Sequence, residues 1–156
     1  MSKLQENKFC TTKAGFAAGT GTSFTTANAV IYSLDGEALS YAAQSNTANP
    51  TLDAITGVAF VGVPINKGCI FIYGIVAGAI SVVQGPLADL DASGAFLLAP
   101  EYPAIPETFV PFGELIIKVA ANGSTWTLGS SNSASVTGVT YTRKDLLVLK
   151  SRPHIS

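Results

Sequence analysis

The arrangement of turn residues constrains the fold of this chain more than any other feature of its sequence. Short β-prone runs alternate with turn signals about every ten residues, and no amphipathic run of helical period extends beyond two turns. The clearest signal is Asp35-Gly36, which separates the β-prone runs 30–34 and 37–41. Asp-Gly favours a hairpin because both central residues of such a turn adopt positive φ. The sequence therefore predicts an all-β fold built from antiparallel hairpins.

Further strands are predicted wherever β-branched and aromatic residues form a run between turns. These predicted strands are 58–65, 69–76, 79–84, 112–119, 124–128, 136–142 and 146–149. Hairpin turns are expected at Ala77-Gly78 and Asn122-Gly123, whereas 44–57 and the proline-rich stretch 85–111 are predicted connections. About eight short strands separated in this way favour an antiparallel β-sandwich or jelly-roll-like single domain.

The chain has 156 residues, a length typical of one domain with its own core. Residues 10–28 are rich in Thr, Gly and Ala and show no sustained period. We therefore predict an extended N-terminal arm at 1–28, the β-sandwich domain at 29–149 and a C-terminal tail at 150–156.

Charged residues are scarce, at 12% of the chain, which is about half the usual share. Such a surface favours packing between copies, because charge is depleted at the centres of interfaces. A pI of 5.7 argues against a nucleic-acid-binding module. The apolar run 69–83 is short and contains glycines, and residues 1–13 lack the apolar centre of a secretory signal. We therefore expect no membrane segment and synthesis in the cytoplasm.

The two ends of the chain are basic and the centre is acidic. Residues 1–13 carry three lysines against one Glu, residues 143–156 carry four cations against one Asp, and the centre carries two lysines against eight acids. The ends are either arms that dock on an acidic neighbour or simply solvated termini, and their short charge blocks favour the second interpretation. The candidate partner-binding residues are Lys3, Lys8, Lys13, Arg143, Lys144 and Arg152.

Residues that could support catalysis or cofactor binding are few. The single histidine, His154, follows Pro153 near the end of the chain, where a triad or metal site would lack support. Cys10 and Cys69 stand alone, which favours buried thiols in a reducing compartment. The aromatic residues could line a sugar or receptor site, but core or subunit contacts are the favoured interpretation for Trp126, Tyr32, Tyr41, Tyr73 and Tyr102. We expect no catalytic residue, cofactor or metal.

One acidic stretch resembles the start of a calcium loop. Asp89 and Asp91 precede Ser93-Gly94, which places oxygen atoms on alternate residues before a glycine. The glutamate that should close such a loop is replaced by Pro100, and Glu101 comes one residue late. These departures favour an Asx-type turn over an ion site, with ion binding as the open alternative.

Several segments, taken in order, resemble small structural proteins of tailed bacteriophage virions, especially head decoration (cement) proteins and related fibre modules. The segments that carry this resemblance are 27–36, 72–85, 103–106, 111–118 and 126–129. The resemblance extends over most of 27–142 and is one of style and segment order. It implies a β-sandwich or jelly-roll subunit, usually a homotrimer, on the exterior of the virion and bound to the lattice of the major capsid protein.

Three functions are therefore considered. The leading hypothesis is a virion structural protein that decorates and stabilises a phage capsid through subunit contacts. The alternative is a tail or head fibre module whose loops bind a host receptor, which exposed loop aromatics would favour. A small β-fold enzyme that acts on glycans is the third, and it requires two carboxylates about 5–10 Å apart in a cleft.

Overall fold

A computed structural model describes residues 8–147, which form an all-β structure without helices. The predictions that concern residues 1–7 and 148–156 lie outside the described residues, among them those for Lys3, Arg152, His154 and the tail at 150–156. Within residues 8–147, no helix has the length and apolar character needed to cross a membrane.

The described residues form eleven strands in three antiparallel sheets. The strands are β1 (Lys8–Cys10), β2 (Phe16–Ala18), β3 (Ser23–Thr26), β4 (Val30–Leu34), β5 (Glu37–Tyr41), β6 (Gln44–Ala48), β7 (Lys67–Val76), β8 (Ala79–Gln84), β9 (Ala88–Asp89), β10 (Val110–Val119) and β11 (Val139–Asp145). The central sheet has the order β11-β10-β7-β8, with β9 also paired to β7, and the smaller sheets have the orders β1-β4-β5 and β2-β3-β6.

The two long central strands, β7 and β10, are buried on both faces, which explains their nearly continuous apolar sequences. Because side chains alternate along a strand, Phe71 and Tyr73 join the main core cluster, whereas Ile70 and Ile72 join a second cluster on the opposite face. The main cluster includes residues from both smaller sheets, and the second is packed against the connection between β9 and β10. The core therefore lies on both sides of the central sheet.

Two predicted hairpins are confirmed. Asp35 and Gly36 have φ values of 53° and 84° and connect β4 to β5. Ala77 and Gly78 have φ values of 50° and 74° and connect β7 to β8. Both dipeptides therefore adopt the positive φ that a two-residue hairpin turn requires.

The hairpin predicted around Asn122-Gly123 is wrong. β10 pairs with β11, whose register includes Ile116 opposite Thr142, and not with 124–128. Trp126 instead forms an isolated bridge with Val63, and the strand predicted at 58–65 is likewise reduced to isolated bridges. Burial explains the change, since Trp126 is fully buried and joins the main core cluster.

The N-terminal part differs from the extended arm predicted at 1–28, because residues 8–28 contain three strands that join the body. β1 pairs with β4, and β3 pairs with both β2 and β6. Phe16 and Phe24 are buried, and their rings pack against Tyr73 with centroid distances of 4.5 and 5.4 Å. These separated aromatics become core residues through distant contacts rather than through a local periodic pattern.

Candidate interaction surface

The loop before β7 and the connection after β8 together expose a large apolar surface. Its exposed side chains, which we call the apolar face, belong to Leu52, Ile55, Val58, Val61, Leu87, Leu97 and Leu98. Most of them line two open grooves of about 720 and 360 Å³, which share Pro86, Leu87 and Glu101 and therefore adjoin.

The apolar face consists of exposed and grouped side chains. Its residues are between 36% and 82% exposed, with Leu98 the most exposed. Single exposed apolar residues are common on protein surfaces, but here six of the seven line two adjoining grooves. Such a surface is typical of a protein-binding site.

Asp53 holds the first part of the apolar face in place. Its Oδ1 accepts hydrogen bonds from the backbone N–H groups of Ile55 (2.7 Å) and Thr56 (3.1 Å), and its Oδ2 accepts one from that of Gln84 (2.9 Å). Asp53 is itself buried. Its carboxylate therefore serves as a brace between the loop and the end of β8.

Gln84 forms a second brace at the same edge of the central sheet. Its side-chain amide donates to the Val61 carbonyl and accepts from the Val61 N–H, both at 2.8 Å. In addition, the Ala54 N–H donates to the Val82 carbonyl at 2.9 Å. These bonds occupy part of the outer edge of β8 and hold Ile55, Val58 and Val61 in a preformed arrangement.

A compact turn positions Leu97 and Leu98. The Asp91 Oδ1 atom accepts hydrogen bonds from the Ser93 N–H (2.8 Å), the Ser93 hydroxyl (2.6 Å) and the Ala95 N–H (3.0 Å). These bonds lower the pKa of Asp91, with the Ser93 hydroxyl contributing most. The Asx-type turn favoured from the sequence is confirmed, and Asp89 forms an ion pair with Lys67. Within 8–147, no three His, Cys, Asp or Glu residues are grouped as metal ligands.

The charges around the apolar face are acidic. In the part of the chain that the structure describes, neither groove is lined by Lys or Arg, whereas Asp53, Asp89 and Glu101 line one or both. Asp53 is hydrogen-bonded to backbone and Asp89 is paired with Lys67. Glu101 is exposed and lines both grooves.

The candidate basic residues have different environments. Lys13 and Lys144 are exposed, whereas Lys8 is buried within β1. Arg143 points towards the protein: its Nη2 donates to the Ser133 carbonyl at 2.6 Å, and its guanidinium lies 5.9 Å from the Phe16 ring centroid. Burial lowers the pKa of Arg143. These contacts assign Arg143 a packing role in the described part of the chain.

The structure joins the two basic ends of the chain. The Cys10 N–H donates to the Leu147 carbonyl at 2.6 Å, and the Phe16 N–H donates to Asp145 Oδ1 at 2.8 Å. The segment with Lys13 and the segment with Lys144 are thus hydrogen-bonded neighbours. We call this region, defined by Lys13 and Lys144, the basic end.

The other candidate residues are mostly part of the core. Trp126, Tyr32 and Tyr73 are buried, which confirms their favoured interpretation, and the Trp126 indole N–H donates to the Asn132 carbonyl at 2.9 Å. Tyr41 and Tyr102 are half-buried, and Tyr102 lines the larger groove.

Sequence reasoning missed the apolar face, although a signal is present. Leu52, Ile55, Val58 and Val61 recur at intervals of three residues, which matches neither a strand nor an α-helix. The strand predicted at 58–65 does not account for this spacing, because side chains alternate between two faces along a strand. A spacing of three within a turn-rich segment could have indicated an irregular loop with one apolar side.

Neither models of protein families, nor curated proteins, nor solved structures show a significant match to this chain.

Proposed function

We propose that this protein is a structural subunit of a tailed-phage virion that decorates and stabilises the capsid from the outside through subunit contacts. The apolar face is the observation that carries the proposal. It presents exposed apolar side chains around two adjoining grooves on a braced β body, which suits a molecule that acts by covering and joining other subunits. The order of segments that resembles decoration proteins supports the same function.

In this proposal the three sheets constitute a sandwich-type, jelly-roll-like body. The support is the main core cluster, in which residues of β2, β3 and β4 pack against residues of β7 and β10. A body of this kind is rigid, so binding orders few additional groups. Many copies that bind only the assembled shell stabilise it by mass action.

The basic end supplies a second contact surface in the proposal. Lys13 and Lys144 are exposed on hydrogen-bonded neighbouring segments. Their positive charge contrasts with the acidic residues that line the grooves. Such an end suits attachment to an acidic region of the major capsid protein lattice. The apolar face then remains available for contacts between copies, as in a homotrimer.

The other two hypotheses receive less support from the site. A receptor-binding fibre module predicted exposed loop aromatics, but among the candidate loop aromatics Trp126 is buried and Tyr102 is half-buried. A glycan-active enzyme predicted paired carboxylates in a cleft, but Asp53 is bound to backbone amides and Asp89 is paired with Lys67. The grooves therefore favour packing over acid–base chemistry.

The proposal is tested with particles that lack this protein. We expect them to lose DNA at lower temperature or at lower salt than complete particles, and to adsorb to host cells normally. Adding the purified protein back should restore resistance. Particles of normal stability that fail to adsorb would support the fibre hypothesis instead, and turnover of cell-surface glycan by the purified protein would support the enzyme.

A further inference from the structure

We infer that the larger groove binds a small organic ammonium ion, with Glu114 as the carboxylate that receives the positive charge. The inference goes beyond the proposed function and does not depend on it. Glu114 lies in β10 and is only 2% exposed, and within residues 8–147 its Oε1 atom has no hydrogen-bond partner. Buried polar atoms are nearly always hydrogen-bonded, so a buried carboxylate oxygen without a partner indicates a place for a ligand.

In the described part of the chain, no cation pairs with Glu114. The register of the central sheet places Lys144 of β11 and Ile72 of β7 directly opposite it. Lys144 is exposed, and the ion pair found among the described residues joins Lys67 to Asp89 instead. The face of the sheet that holds Ile72 carries the second, apolar core cluster. A carboxylate in such surroundings gains more from a cation than one in water, because Coulomb attraction is stronger at low dielectric constant.

Tyr102 separates Glu114 from the larger groove. Its side chain packs against the second core cluster and also lines the groove. Burial and the neighbouring Glu114 carboxylate raise the pKa of Tyr102 to about 12, so the phenol stays neutral at physiological pH. Glu114 thus lies one side chain behind the groove wall. A cation that enters beside Tyr102 contacts the carboxylate and the aromatic ring together, and the faces of aromatic rings attract cations.

The groove determines the rest of the ligand. Its volume of about 720 Å³ falls within the roughly 300–1,000 Å³ of small-molecule sites. Val58 and Val83 belong to its apolar walls, the exposed Glu101 lies at its rim, and no Lys or Arg of the described residues lines it. These features suit a ligand with an apolar body and one positive end. Because Glu114 is reached only past Tyr102, a slender primary ammonium fits better than a guanidinium or a peptide.

Isothermal titration calorimetry of the full-length chain with hexylammonium tests the inference. Hexanol, which has the same carbon chain without the charge, is the matched probe. At about pH 7 the alkylamine is protonated, as a Lys side chain is. We expect hexylammonium to bind at least about 10-fold more tightly than hexanol, because a buried charge pair contributes strongly to affinity. Glu114→Gln preserves the size of the side chain and should abolish this preference while leaving hexanol binding unchanged.

The control variant is Glu101→Gln, which makes the same substitution at the exposed rim. It should change the affinity for hexylammonium by less than about threefold, because exposed ion pairs contribute little. Circular dichroism and thermal unfolding verify that both variants are folded. The comparison of the two probes on the unmodified chain needs no variant, so it tests the inference even if Glu114→Gln does not fold.

Several results would overturn the inference. Hexylammonium may not be bound at all or only as tightly as hexanol, and either result excludes a cation site. Retention of the preference in Glu114→Gln, or its loss in Glu101→Gln, would show that the charge is recognised elsewhere. Tighter binding of Nα-acetyl-lysine amide than of hexylammonium would identify a protein side chain, rather than a small amine, as the occupant.

Discussion

Individual residues show how strongly the core of this protein excludes water. Cys10 and Cys69 are both buried free thiols, and the Cys10 thiol donates to the Pro111 carbonyl at 3.3 Å. Burial raises the pKa of each thiol from 9.0 to about 12. Since the thiolate is the reactive form, both cysteines act as small apolar side chains in the folded protein.

Thiol labelling therefore reports on folding. With Ellman's reagent at about pH 8 we expect slow reaction in the folded protein and rapid reaction of both cysteines after denaturation. Because the folded-state pKa values are raised, the thiols' contribution to stability is complete below pH 9.0 and is lost as pH rises towards about 12. Unfolding by urea at increasing pH measures this loss, and rapid labelling of the folded protein would contradict the prediction.

Among the elements, the β7–β8 hairpin contains a residue that its turn does not favour. Ala77 has a φ of 50° and Gly78 a φ of 74°, the left-handed pair of a two-residue hairpin. A residue with a Cβ is strained there, whereas Asn tolerates this region well and Asn-Gly is the preferred pair. The corresponding turn between β4 and β5 has Asp35 at the same position.

The variant Ala77→Asn should therefore be more stable than the original chain. We expect the free energy of unfolding to increase by about 0.5–1 kcal/mol, measured by urea denaturation. Ala79→Asn is the control, because Ala79 is exposed at the first position of β8 and Asn is unfavourable in a strand. Equal or lower stability of Ala77→Asn would show that the positive φ of Ala77 does not reduce the free energy of unfolding.

For the whole molecule, the main result is that two sequence-distant basic segments are joined while the acidic grooves lie elsewhere on the chain. Lys13 follows β1, in which the Cys10 N–H donates to the Leu147 carbonyl, and Lys144 lies in β11. The hydrogen bonds between these segments bring together two parts of the chain that are far apart in the sequence. In the proposed function, this basic end faces the capsid.

Reversing both charges of the basic end, with Lys13→Glu and Lys144→Glu, should weaken attachment to particles. We expect a loss of at least about tenfold at low ionic strength and a weaker dependence on salt, because the attraction is electrostatic. Quantitative binding to particles that lack this protein, carried out over a salt series, measures both effects. Thr140→Glu, an exposed position on β11, is the control, and unchanged occupancy of the double variant would exclude docking by the basic end.

The amino-acid sequence by itself determined the local hairpins. Asp35-Gly36 follows from the φ preferences of its two residues, whereas Ala77-Gly78 follows from the β-prone runs on either side of it and the glycine between them. The all-β class followed from the same short-range signals. The Asx-type turn at Asp91 was also predictable, because its hydrogen bonds join residues at most four positions apart.

Only the tertiary structure decided which strands pair and which apolar residues stay exposed. Asn122-Gly123 favoured a local hairpin, but burying Trp126 against the core places it beside Val63 and leaves β10 to pair with β11. Likewise, Phe16 is buried in β2 although residues 10–28 show no sustained period, and Val58 is exposed although a strand was predicted at 58–65. Burial depends on the sum of distant contacts, and no short window of sequence contains that sum.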